Sequence, residues 1–281
     1  NAGNRAEYDK EVRKHIAEEC LDFYGDADEW DVMNESLYQK ATRSKFDDSV
    51  MTDWFGWARE YSHPDTKLFY NEIRPDDGIF DLLDTMTENG VDFDGIGLQS
   101  HRTFGTVEPF YERLKRLSER YGKRLKITEF DLDEDDEILQ GENTRDFMIA
   151  CFSCEAVDGF YMWGFADNVH WLGNAPLLDK NGELKYSGKQ FTDLVYNKWW
   201  TREKSKTDFD GSCKMRGFYG DYDLTVKALG CERVIRTGIH KGGENTVTAV
   251  LPIEYDPENV LNYYTEVKNI DFSPIGSGSH G

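Results

Sequence analysis

No apolar run in this chain approaches the roughly 20 residues a membrane span requires, because charges interrupt every one. No charged-then-apolar leader stands at its start. These absences predict a chain free of membrane, with any export signal lying outside the 281 residues. Cysteine is sparse as well. Only one Cys-x-x-Cys occurs (151–154), and no histidine follows it at ligand spacing, so a zinc site is not expected. Cys151 and Cys154 fall in a helical pattern and read as packed thiols, whereas Cys213 and Cys231, in a β-rich tail, leave a bridge open. No glycine-rich phosphate loop follows a first strand. The acidic run from Asp131 to Glu142 lacks the glycine that a calcium loop needs at its sixth position. Positive charge is outnumbered: the formal charge of −21 repels nucleic acid and anionic membrane surfaces, which favours a neutral partner.

What is present supports a well-filled core, with 38% hydrophobic and 14% aromatic residues. Val12, Ile16, Cys20 and Phe23 recur at intervals of four, four and three, which predicts one apolar stripe on a helix over 6–24. A strand at 30–34 follows. The alternation then repeats, with helices near 49–61, 77–89, 107–121 and 143–156, and strands near 67–71, 94–99, 125–129 and 159–163. Gly90 stands where a left-handed C-cap belongs, and Asn143 is the expected cap of its helix. Glu35, Asn71, Gln99, Glu129 and Trp163 end successive strands, 36, 28, 30 and 34 residues apart. That rhythm predicts a βα-barrel, whose C-terminal strand ends share one mouth.

Only five βα units can be counted before about residue 197, and a closed barrel needs eight. Beyond Trp199-Trp200 the texture changes to short alternating segments with turn signals at 210–211 and 242–243, which predicts a small antiparallel β-module. The expected division is therefore 1–197 for the barrel portion, 198–272 for a sandwich-like module and 273–281 for a linker or tag remnant. Phe218, Tyr219 and Tyr222 leave two roles open for that module, sugar stacking or a structural cap on the barrel.

Two strand ends terminate in glutamate, in Trp-Asp-Val-Met-Asn-Glu (30–35) and Leu-Lys-Ile-Thr-Glu-Phe-Asp (125–131). Glycoside hydrolysis uses such a pair, one carboxyl protonating the leaving oxygen and the other attacking the anomeric carbon. These two segments, with Asp-Gly-Ile-Gly-Leu-Gln-Ser-His (94–101) and Tyr-Met-Trp-Gly-Phe-Ala-Asp-Asn-Val-His-Trp (161–171), resemble strands four, six, seven and eight of glycoside hydrolase family 10 xylanases, in that order. The resemblance spans roughly residues 6–197. It implies strands four to eight of a (β/α)8 TIM barrel and retaining endo-hydrolysis of β-1,4-xylosidic bonds in xylan or xylo-oligosaccharides, without cofactor or metal.

By that resemblance Glu35 is the acid/base and Glu129 the nucleophile, with their carboxyls about 5–5.5 Å apart. Asn34 is expected to bond the sugar 2-hydroxyl, and Gln99 to position the acid/base or substrate. His101, oriented by Asp131, is expected beside Glu129. Trp163 and Trp171 are expected to wall the cleaved sugar, and Asn71 to sit after the fifth strand. The following Glu72-Ile73-Arg74, and Asn168-Val169-His170 before the second tryptophan, depart from the family pattern. A second polypeptide or segment carrying barrel strands 1–3 is expected as a partner, and an extracellular, secreted location. The alternative is a non-catalytic glycan-binding or scaffold protein with a relic barrel.

Overall fold

The computed structural model describes residues 4–38, 46–101, 106–228, 230–252 and 266–274. The chain divides into two compact units, 1–191 and 192–281. In the first, the elements run α1 (Arg5–Asp22), β1 (Glu29–Asn34), α2 (Ser49–Tyr61), β2 (Lys67–Glu72), α3 (Asp77–Glu88), β3 (Gly95–Leu98), α4 (Val107–Tyr121), β4 (Arg124–Phe130), α5 (Glu137–Ser153), β5 (Val157–Met162) and α6 (Tyr186–Asp193). The strands form one sheet in the order β1-β2-β3-β4-β5, and every pairing is parallel. This is the partial βα-barrel that the alternation predicts. Among the described residues, the outer edges of β1 and β5 have no partner strand.

The helices cover one face. Leu68, Tyr70, Ile96, Leu98, Leu125 and Ile127 point from the strands into a core shared with Val50, Phe55, Ile79, Leu83, Leu114 and Phe147 of the helices. The opposite face is more polar and carries Asp31, Asn71, Lys126 and Thr128, with Phe69 among them. This period-two division is what a strand imposes. Phe69 lies flat across β3, and a Cβ at Gly95 would overlap its Cε1 atom.

α1 turns its predicted stripe inward only in part, since Cys20 is buried while Phe23 is half exposed. α3 ends as expected, with Gly90 at φ +68°. α5 differs from expectation. It begins at Glu137 rather than near Asn143, capped by Asp136, whose Oδ1 accepts from Ile138 N (2.9 Å) and Leu139 N (3.0 Å). Gly141 hides this first turn from a periodicity reading. It is present because a Cβ there would overlap the Tyr186 ring.

The second unit holds β6 (Cys213–Gly217), β7 (Gly220–Ala228), β8 (Cys231–Ile239), β9 (Thr246–Val250) and β10 (Glu266–Pro274). β7 and β8 make the antiparallel hairpin that the alternation predicts. A three-stranded sheet, β6-β10-β9, departs from an all-antiparallel module, because β10 runs parallel to β6 and antiparallel to β9. Tyr222 is not offered for stacking. It packs around buried Ile239 and Ala249, and its hydroxyl donates to Phe218 O at 2.7 Å. Tyr219 is half exposed. All five cysteines are free; Cys151 and Cys154 are buried as packed thiols, and Cys213 and Cys231 are not bridged.

Gly95→Ala forces Phe69 off its seat, so it should lower stability by about 1–3 kcal/mol. Urea denaturation checks this, and the double variant with Phe69→Leu should lose less than the sum of the two single changes.

Candidate active site

Parallel register brings the strand ends together. Asn34 lies opposite Asn71, Asn71 opposite Gly97, and Leu98 opposite Ile127. Past these pairs the chain turns sharply, with Glu35 at φ +56° and Ser100 at φ +62°, positions where a side chain rarely sits without other contacts holding it. Glu35 N donates to Asn71 O at 2.9 Å, and Glu129 N to Gln99 O at 3.1 Å, extending the ladder beyond the strands.

Five of the predicted residues then join into one network, to which Thr128 adds a sixth. Gln99 Nε2 donates to Glu35 Oε1 (2.7 Å) and to Asn34 Oδ1 (3.1 Å). Asn71 Nδ2 donates to the same Asn34 oxygen (3.0 Å) and to Glu129 Oε1 (3.3 Å). Two amides thus bridge the two glutamates through one shared acceptor. Thr128 Oγ1 donates to Asn71 Oδ1 at 2.8 Å and so fixes the amide's orientation. Gly97 leaves room for it, because a Cβ there would overlap Asn71 Oδ1.

On the other side of Glu129, Oε2 lies 3.1 Å from His101 Nε2, and His101 Nδ1 lies 2.9 Å from Asp131 Oδ2. Asp131 is fully buried, and Trp171 Nε1 donates to its Oδ2 at 3.0 Å. Burial pulls the imidazole toward its neutral form, but the hydrogen bond and charge of Asp131, joined by Glu129, raise its pKa above the ordinary 6.5. When protonated, the ring donates from both nitrogens, one to each carboxylate. Trp163 and Trp171 stand edge-on to it, at centroid distances of 6.0 and 5.7 Å, and both remain half exposed. The structure therefore brings Glu35, Glu129, Asn34, Asn71, Gln99, His101, Asp131, Trp163 and Trp171 to one end of one sheet.

Three features had no role in the sequence reading. His170, its side chain buried, holds Nε2 3.4 Å from Asp131 Oδ2 without making a hydrogen bond, while its Nδ1 accepts from Leu172 N at 3.1 Å. Asp31 stood inside a quoted motif, yet alternation alone could have put it on the polar face. There, crowded by protein atoms although water still reaches it, and repelled by Glu129, it has a pKa raised from 3.8 to about 6. Glu72, at the end of β2, is fully buried.

The model of glycosyl hydrolase family 10 matches residues 1–194. The chain is 32% identical over 219 residues to Anti-sigma-I factor RsgI6 of Acetivibrio thermocellus, covering 74% of this chain and 28% of that protein. It is 25% identical over 241 residues to Endo-1,4-beta-xylanase 2 of Arabidopsis thaliana, covering 82% and 22%. Native xylanase 10B from Thermotoga maritima superposes with a TM-score of 0.63 at 24% identity, over 69% of this chain and 68% of that one, a likeness of fold. The chain spans less than a third of the length of the first curated relatives it matches, at 28%, 22% and 27%.

Raised carboxyl and imidazole pKa values have opposite origins but the same sign in stability. Each folded group binds its proton more tightly than the unfolded chain does, so its contribution is complete at low pH and falls as pH rises. For Asp31 the fall runs from 3.8 to about 6. For His101 it begins near 6.5 and ends at the higher folded value. Asp31→Asn removes the first fall, so its denaturation midpoint relative to the parent should rise between about pH 4 and pH 7. An unchanged difference across that range contradicts the assignment.

Proposed function

This chain belongs to glycosyl hydrolase family 10, and we propose that it hydrolyses internal β-1,4-xylosidic bonds of xylan with retention of configuration, Glu129 as nucleophile and Glu35 as acid/base. The observation that carries this reading is the asymmetry of the two glutamates. Glu129 Oε2 lies 3.1 Å from the imidazole of His101, whose raised pKa favours a cation beside the attacking carboxylate, while Glu35 Oε1 accepts from the neutral amide of Gln99.

In the first displacement Glu129 attacks the anomeric carbon as Glu35 gives its proton to the departing glycosidic oxygen, so the C–O bond to the leaving sugar breaks as the C–O bond to Glu129 forms. In the second, Glu35 takes a proton from water, whose oxygen replaces Glu129 at the same carbon. Asn34 Oδ1 is occupied by two amide donors, which turns its Nδ2 toward the sugar 2-hydroxyl. Trp163 and Trp171 present their exposed faces as walls for the sugar ring. Xylobiose and xylohexaose are bound in related solved structures, which supports a xylan-type ligand here.

A closed eight-stranded barrel has no edge, whereas β1 and β5 each leave one without a partner strand among the described residues. We read these edges as the seam for a second polypeptide or segment carrying barrel strands 1–3. A polymeric xylan substrate favours a secreted, extracellular enzyme. The alternative of a glycan-binding scaffold is not favoured, since binding alone has no use for a carboxylate held by the His101–Asp131 pair.

With the remaining strands supplied, release of short xylo-oligosaccharides from xylan should fall about a thousandfold or more in Glu129→Ala. Glu35→Ala should lose xylan hydrolysis yet still be glycosylated by an aryl xylobioside whose leaving group needs no proton. Undiminished xylan cleavage in Glu129→Ala removes the nucleophile assignment.

A further inference from the structure

We propose that Glu72 is a positioning residue for Glu35, an inference that rests on reading Glu35 as the acid/base. Glu72 ends β2 and is fully buried, and no lysine or arginine among the described residues forms an ion pair with it. Its carboxyl is instead filled by local donors. Oε2 accepts from Tyr70 Oη (2.5 Å) and Leu37 N (3.0 Å), and Oε1 accepts from Ile73 N (2.9 Å). Tyr70 Oη also lies 3.0 Å from Ser36 Oγ. A buried carboxyl is unfavourable unless its oxygens are satisfied, and here the satisfaction is directed at one turn, Glu35-Ser36-Leu37.

That turn is where geometry matters. Glu35 is held at φ +56°, a conformation that persists only when contacts on both sides fix it. Asn71 O anchors the near side through Glu35 N at 2.9 Å, and Glu72 anchors the far side through Leu37 N. The same residue steadies the other support of Glu35. Glu72 O accepts from Gln99 N at 2.8 Å, and Gln99 in turn donates from its side chain to Glu35 Oε1 at 2.7 Å. One side chain therefore sets the backbone that aims the carboxyl, and its own main chain sets the amide that meets it.

Glu72→Gln keeps the shape but turns one acceptor into a donor, so either Leu37 N with Tyr70 Oη or Ile73 N loses its partner. Tyr70→Phe removes one donor while keeping the ring, and is the milder variant should the first fail to fold. The measurement is kcat/KM on aryl xylobiosides of graded leaving-group basicity, with the barrel-completing segment present, because kcat/KM reports the step that needs proton donation. Glu72→Gln should lose about a hundredfold on a basic phenol leaving group and less than about threefold on a dinitrophenyl leaving group. Tyr70→Phe should show a smaller loss of the same pattern. Equal losses on every leaving group, or none, overturn the proposal, since a merely structural defect does not sort substrates by basicity. If the unsubstituted protein cleaves none of them, the functional reading fails instead. The positioning is then read from the carboxyl 13C resonance of Glu35 at fixed pH, which should shift in Glu72→Gln; an unmoved resonance overturns it.

Discussion

In-register parallel pairing is the constraint on which the rest depends. Asn34 faces Asn71, and Asn71 faces Gly97, so three chain segments far apart in sequence end at one level. A slip of one residue in any pair would send its polar side chains into the helix-covered core and its aliphatic ones into the site. The register is held by that penalty, with Leu68, Tyr70, Ile96 and Leu98 almost completely buried on the far face. Catalytic geometry in this unit is thus a by-product of core packing. The two bridging amides could not share Asn34 Oδ1 unless the aliphatic side had already fixed the strands.

Charge is arranged on top of that scaffold with little cation to spare. Glu35, Glu129 and Asp131 gather at the strand ends, with Asp31 near enough to be repelled by Glu129, and the imidazole of His101 touches Glu129 and Asp131. An imidazole between two carboxylates gains protonated character; it stands beside Glu129, while Glu35 accepts from the amide of Gln99. Asp31 meets the opposite fate and is pushed toward neutrality by the protein atoms that crowd it and by Glu129. Distinct roles for chemically identical carboxyls therefore arise from which neighbour each one meets.

Most of this was legible in sequence, for a physical reason. Helices α2 to α4 and the five strands alternate on strong periodicities, so their existence and order could be read, and the strand-end residues followed from the architecture. What stayed hidden is what periodicity does not encode. The first turn of α5 carries Gly141, whose small size answers to Tyr186 at a distance of 45 positions. The β6–β10 pair joins segments more than 40 residues apart in parallel, with no turn signal to announce it. Glu72 and His170 read only as departures from a family pattern. Their meaning lies in one distant contact each, Leu37 N for Glu72 and Asp131 for His170, which no local window contains.

The polar face of the sheet bears on how far the site can be understood from this unit. Trp163, Trp171 and Asp31 are open to water here, because five strands wrap only part of the way around the mouth. Covering that face withdraws solvent from every group on it and lowers the local dielectric, which strengthens the attraction between His101 and its two carboxylates and raises the penalty on any carboxylate without a cation. Glu129 and Asp131 belong to the first kind, and Asp31, whose pKa is already raised, to the second. Closure therefore widens a difference already written into the contacts: it pushes Asp31 further toward its neutral form and tightens the bridge that His101 makes between Glu129 and Asp131.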